Sequence, residues 1–197
     1  MNEIVKDEIK RKSFHLLLLL YTAAFWYLPK KIVVLAMSAI IILVGILEWS
    51  RFTFQKFNEF FVKNFKGLYR KEEINKISGL IWTLSGALFA MLLFKNREFV
   101  LASFLYLAFG DSSAALIGRV FGKHKIIGGK SLEGSAACFL SCFTAGLFLF
   151  NLPFALFGAM LAAFIEAVPW KLNDNFWMQI VNAGLLTALS LILPSGY

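Results

Sequence analysis

GDSSAALIGRVFGKHKIIGGKSLEGS, running from Gly110 to Ser135, is a stretch for which a bundle of inert membrane helices has no use. Asp111 interrupts an apolar run, small residues follow it, and a glycine-rich loop then brings Lys123, Lys125 and Lys130. A second acid, Glu133, opens the next apolar run. A carboxylate at membrane depth is costly and its default reading is functional, with a partner nearby. The neighbouring groups here are backbone amides and lysines, which are what a phosphate needs. The stretch therefore points to a nucleotide or another phosphorylated ligand.

The rest of the chain sets the solvent. Hydrophobic residues make up 59% of the 197 and Phe occurs 22 times. Only 16% are charged, against about a quarter in an average soluble domain, which selects a membrane protein. The length suits one unit, 1–197, with no linker or low-complexity segment to divide it. Cys138 and Cys142, four apart in an apolar run, lack neighbours for metal ligation and read as packing residues. The first apolar run follows a charged segment but has no small-residue cleavage site, so it is expected to remain as a span.

Crossing a bilayer core of about 30 Å takes roughly 20 apolar residues per helix. Seven segments are expected to do so: 14–29, 32–50, 77–94, 99–119, 132–150, 153–169 and 175–193. Pro29, Pro153, Pro169 and Pro194 fall at or near their ends, where helices start or stop. Between the second and third segments, Phe54, Phe57, Phe61, Phe65 and Leu68 follow a helical period, with Lys56, Glu59, Lys63 and Lys66 on other faces. That pattern predicts an amphipathic helix lying in the interface. The fold class is thus all-α, with about seven transmembrane helices and one interfacial helix.

With seven spans, the only Lys and Arg on the far side from the N-terminus are Lys30, Lys31, Lys95 and Arg97 of the 20. The positive-inside rule then places the N-terminus in the cytoplasm and the C-terminus outside. The net charge of +8 is mainly this topology signal, with attraction to anionic lipid second, and nucleic-acid binding is not expected. The same topology gathers His15, Glu48, Arg51, Asp111, Lys130, Glu133, Glu166 and Asp174 at the cytoplasmic ends of their helices. A solute pathway would spread polar groups through the bilayer, whereas one polar layer suits a site fed by cytoplasmic solutes with lipid at its flank.

Each element has a plainer alternative. Asp111, Ala115, Gly118 and Gly122 share a helix face that would let a ligand approach closely; a small-residue stripe for helix packing explains the glycines but not the aspartate. Gly128, Gly129, Lys130 and Ser131 precede a helix whose free amides would bind an anion. The string GGKS resembles the end of a P-loop, but His124 stands where that motif needs a glycine and no strand precedes it. Glu133 could simply complement the helix dipole. Arg11 and His15 share a face before the first span, where basic residues also set topology. Glu48 and Arg51, three apart, suit a local ion pair. Glu166 follows Gly158, Ala159, Ala162 and Ala163 and should point into the bundle, and Asp174 is expected as a helix N-cap.

Taken together these residues resemble the CTP-dependent lipid kinases, which include dolichol kinase, phytol kinase and yeast-type diacylglycerol kinase. RKSFH from Arg11 to His15 is similar to that family's Arg-Lys-x-x-His, and Glu48 with Arg51 to its acidic and basic pair. The Gly110–Ser135 stretch resembles its Asp, Gly-x-x-x-Gly-Lys and Lys-Ser-x-Glu-Gly-Ser core, and Glu166 with Asp174 and Asn175 its last motif. Phosphatidate cytidylyltransferase shares the Asp, Gly-Arg-x-Phe-Gly-Lys and Glu-Gly elements. It normally adds Ser-Pro-Lys-Lys-Thr and a closing His and Asp-Arg signature, neither of which occurs here.

The resemblance implies transfer of the terminal phosphate of CTP to the hydroxyl of a polyprenol, dolichol, phytol or diacylglycerol, with Mg²⁺. It implies Asp111 as base or metal ligand, with Glu133, Glu166 and Asp174 as further carboxylates for Mg²⁺. Phosphate contacts would come from Gly118, Gly122, Lys123, Gly128, Gly129, Lys130, Ser131, Arg11, Lys12 and His15, with Lys130 and Glu133 close to the chemistry. The expected partners are CTP, a lipid alcohol and the bilayer, with a homodimer left open. A nucleotidyltransferase and a transporter or scaffold are the competing readings.

Overall fold

A computed structural model describes residues 12, 15, 17–64, 76–170 and 173–192. The described residues form eight helices and no strand: α1 (Leu18–Tyr27), α2 (Lys30–Thr53), α3 (Gln55–Asn64), α4 (Gly79–Leu93), α5 (Arg97–Val120), α6 (Leu132–Gly146), α7 (Leu152–Ala167) and α8 (Asp174–Ile192). A helix accompanies each of the seven apolar segments. Among the described residues, however, only α2, α5 and α8 are long and apolar enough to cross a membrane; α1, α4 and α7 are shorter apolar helices.

Local chemistry sets these limits. Asn151 caps α7 by accepting from the Phe154 amide at 3.2 Å, with Pro153 in the first turn. Asn96 caps α5 by accepting from the amides of Glu98 and Phe99. Such side chains satisfy amides that the helix itself leaves open, and so fix where it begins. At α8 the capping oxygen belongs to Asn173, which accepts from the Asn175 amide at 3.0 Å. Asp174, expected as the cap, is instead the first helical residue, one position inside. The interfacial segment forms α3, where the rings of Phe57 and Phe61 lie 5.5 Å apart; Phe65, Lys66 and Leu68 are outside the described residues.

α5 is the axis of the bundle. Phe99, Ala102 and Tyr106 join one apolar cluster with α6, α7 and α8, while Val100, Leu101 and Phe104 join another with α1, α2 and α4. Leu107 and Ala108 complete a third, with Leu18, Ile165 and Met178. Contributing to all three clusters means that α5 packs against protein on several faces at once. Accordingly 61% of the apolar window of α5 is buried, against 17% for α2.

Close approach substitutes for hydrophobic drive where lipid is the solvent. A Cβ on Gly146 or Gly158 would lie 2.9 or 2.8 Å from the Tyr106 hydroxyl, so only glycine admits that ring. From Tyr106 to Asp111 the helix widens into a π turn, a feature frequent at functional sites. Gly110 lies within it, and a Cβ there would sit 2.5 Å from Cys142 Sγ and 3.0 Å from Cys138 Sγ. The two cysteines are free and buried, with sulfurs 3.9 Å apart.

Candidate functional site

Two long-range ion pairs organise the charged end of the bundle. Lys12, only 5% exposed, pairs with Asp111, 8% exposed, at the C-terminal end of the π turn. Lys130 places its Nζ 2.9 Å from Glu166 Oε1 and 3.4 Å from Asp174 Oδ2, and also donates to the carbonyl of Glu166. Burial works against the Lys130 charge, but the nearby carboxylates of Glu166, Asp174 and Asp111 outweigh it and hold its pKa above the usual lysine value. A cavity of about 400 Å³ opens between these groups, where the second half of α5 meets the start of α6, the end of α7 and the start of α8. Lys12, Arg119, Lys125 and Lys130 line it with Asp111, Glu166 and Asp174, and Ala114, Ala115, Gly118 and Gly134 form its smooth wall.

The glycine-rich loop is a small hairpin. Lys125 and Ser131 form an antiparallel bridge, Ile126 donates its amide to Lys130 at 2.9 Å, and Leu132 donates to His124 at 3.0 Å. Gly128 and Gly129 turn it with φ of 72° and 79°, a region other residues rarely enter. A Cβ on Gly128 would also meet Pro169 at 3.0 Å. The turn thus requires both glycines independently of any anion. Ser131 is buried and caps α6 by accepting from Gly134 at 3.2 Å, so that amide is not open to a ligand.

Packing accounts for much of the small-residue face. A Cβ on Gly118 would lie 3.0 Å from Ser131 Oγ, one on Gly122 2.6 Å from the same atom, and one on Gly134 2.8 Å from the Ala114 carbonyl. These glycines bring α5 and α6 together, and Gly118 and Gly134 also line the cavity.

The cavity gathers Lys12, Asp111, Ala115, Gly118, Lys125, Gly129, Lys130, Ser131, Glu166 and Asp174 from the residues singled out in the sequence. It does not gather the others. Glu133 turns back on the hairpin, accepting from the His124 amide at 3.2 Å and pairing with His124 Nδ1 at 2.7 Å. Lys123, Gly122 and Gly128 are not part of the wall. Asn175 Nδ2 donates to Thr83 Oγ1 at 3.0 Å and to His15 Nε2 at 3.3 Å, tying α8 to α4 and to the segment before α1. Glu48 and Arg51 pair at 2.7 Å at the end of α2; Arg51 donates to the Lys76 carbonyl at 2.8 Å and Glu48 accepts from the Ser78 amide at 3.4 Å. They brace the approach to α4 away from the cavity. Arg11 lies outside the described residues.

The expected metal set of Asp111, Glu133, Glu166 and Asp174 is not gathered as one: among the described residues no three His, Cys, Asp or Glu side chains form a metal-binding group. Glu133 is the member that departs, because His124 holds it. Arg119 escaped the sequence reading as a site element; it lies one turn beyond Ala115 and could have been found by extending the helix face. Away from the cavity, Gln179, which the sequence reading passed over, is fully buried, donates to the Thr83 carbonyl at 2.8 Å and accepts from Tyr21 at 3.0 Å.

An all-helical bundle with membrane-length helices and a charged cavity at one end of them is the class that fold and site define. No family model matches the chain, and no solved structure matches it. Curated relatives do. CTP-dependent diacylglycerol kinase 1 of Saccharomyces cerevisiae is 29% identical over 94% of this chain and 74% of its own length. The protein of the same name from Schizosaccharomyces pombe is 29% identical over 92% and 93%, and that of Eremothecium gossypii 30% identical over 70% and 44%. These relatives, similar over most of the chain, support the CTP-dependent lipid kinase family for it.

Proposed function

We propose that this protein is a CTP-dependent lipid kinase that phosphorylates the hydroxyl of a membrane lipid alcohol. Diacylglycerol is the first acceptor to test, because the relatives are named for it. The observation that carries the reading is the cavity in which the buried Lys12–Asp111 pair and the half-buried Lys130–Glu166 pair face a common space. Phosphoryl transfer requires mainly positioning and neutralisation of charge. The bond between the γ-phosphorus and the β,γ-bridging oxygen breaks as the lipid oxygen bonds to phosphorus. CDP leaves with the bridging oxygen, and the hydroxyl proton passes to Asp111. Lys12 and Lys130 turn from their carboxylates to the phosphates as these enter.

The donor set suits Mg²⁺. Glu166 Oε2 is buried with no hydrogen-bond partner, an acceptor that a cation would satisfy. Mg²⁺ is commonly held by one or two carboxylates and by substrate phosphates. Glu166 and Asp174, which share Lys130 and line the cavity, are the residues that would hold it. When bound, it would offset charge on the phosphates.

The reading extends to residues 1–197 as one membrane unit crossing seven times, with the N-terminus and cavity cytoplasmic and the C-terminus outside. The distribution of Lys and Arg supports this orientation. Reporters fused after Tyr197 and within Lys123–Lys130 should lie on opposite sides of the membrane; the same side for both would end the seven-span arrangement.

The function is tested with purified protein, CTP labelled at its terminal phosphate, and diacylglycerol, polyprenol and phytol in turn. Labelled lipid phosphate and CDP are expected. Labelled pyrophosphate with a cytidylylated lipid would replace the kinase by a nucleotidyltransferase.

A further inference from the structure

The cations of the cavity are not equivalent. Lys12 and Lys130 are each held by an acid, and Lys12 lies at the buried floor beside Asp111. Lys125 is exposed, lines the same cavity, and pairs with no carboxylate among the described residues. Its place is fixed by backbone. It stands across the antiparallel bridge from Ser131, which also lines the cavity, and two positive-φ glycines close the turn between them. A lysine whose main chain is held in this way loses less freedom when it takes a ligand.

We propose that Lys125 holds the phosphates of the nucleotide that are not transferred, the part that leaves as a nucleoside diphosphate. This rests on the kinase reading. If Asp111 receives the hydroxyl proton, the transferred phosphate lies at the floor with Asp111 and Lys12. The inner phosphates then extend toward the mouth, where Lys125 is paired with no acid among the described residues. The alternative is a lysine that is merely solvated at the rim.

The two differ in what Lys125→Ala does to product binding. Expected are increases of about tenfold in both the KM for CTP and the inhibition constant for CDP, the loss of one charged phosphate contact. Turnover at saturating CTP stays within about twofold and the KM for the lipid alcohol does not move. Lys125→Arg restores both constants. An unchanged CDP constant overturns the proposal, whether or not the KM for CTP rises.

Inorganic tripolyphosphate provides a readout free of catalysis. It should raise the unfolding temperature of the wild-type protein and raise it less in Lys125→Ala; equal shifts overturn the subsite. If the wild type transfers phosphate to no lipid alcohol, the kinase reading falls by itself, and the tripolyphosphate shifts still decide whether Lys125 binds phosphate.

Discussion

Lys12 and Asp111 are 99 residues apart in the chain and form one ion pair inside the bundle. Neither charge is buried alone, and each fixes the other's position. The cost of a carboxylate within an apolar bundle is offset by a lysine from the basic segment that precedes the first apolar helix.

Removing the charge of Asp111 therefore has two separable effects. Asp111→Asn should lower phosphate transfer by about 10²–10⁴-fold, as expected for loss of a general base. It should also destabilise the protein by about 3–5 kcal/mol, because Lys12 is left as an uncompensated buried charge. Lys12→Met combined with Asp111→Asn should recover the thermal midpoint in detergent without recovering activity. A single variant with near-normal turnover removes Asp111 from the chemistry.

Gly110 tests how the π turn aims that carboxylate. Gly110→Ala drives a methyl to 2.5 Å from Cys142 Sγ, and overpacking of this kind costs about 1–3 kcal/mol. Activity should fall with the protein still folded, and Cys142→Ala should restore much of it by vacating the contested space. Wild-type activity in Gly110→Ala alone would show that this contact does not position Asp111.

Glu133 supports the hairpin through His124. Glu133→Gln keeps an acceptor for the His124 amide but removes the carboxylate from His124 Nδ1, and an exposed contact of this kind contributes little. Turnover should fall by about threefold or less. A loss of several orders of magnitude would return Glu133 to the reacting groups.

Lys130 carries a pH signature. Its folded pKa lies above the ordinary lysine value of 10.5, so its contribution to stability is whole below that value and is lost as pH rises through the folded one. The gap in unfolding midpoint between wild type and Lys130→Met should be constant from about pH 7 to about pH 9 and close at higher pH. A gap that closes near neutrality would mean that Glu166 and Asp174 do not hold the charge.

What the sequence disclosed follows from the range of each signal. Asp111 stands out because an acid in an apolar run needs no partner in view to be conspicuous, and the helical segments are legible from hydropathy. Lys12 looks like any other basic residue before a first span; only the fold brings Asp111 to it. His124 and Glu133 are nine residues apart, a spacing that no helical rule connects, and a hairpin between two apolar helices has no alternation to announce it. The helix ends followed from Asn96, Asn151 and Asn173, polar residues that cap as readily as they do nothing. Asp174 was mistaken for the cap because Asn173, beside it, has the same chemistry.

The long-range pairs also have an order in time. Lys12 is synthesised before Asp111, and Lys130 before Glu166 and Asp174. Every carboxylate around the cavity therefore emerges from the ribosome after the lysine that will neutralise it. Around the cavity the cations are waiting when the acids arrive, and none of these acids has to enter the apolar bundle before its partner has been made.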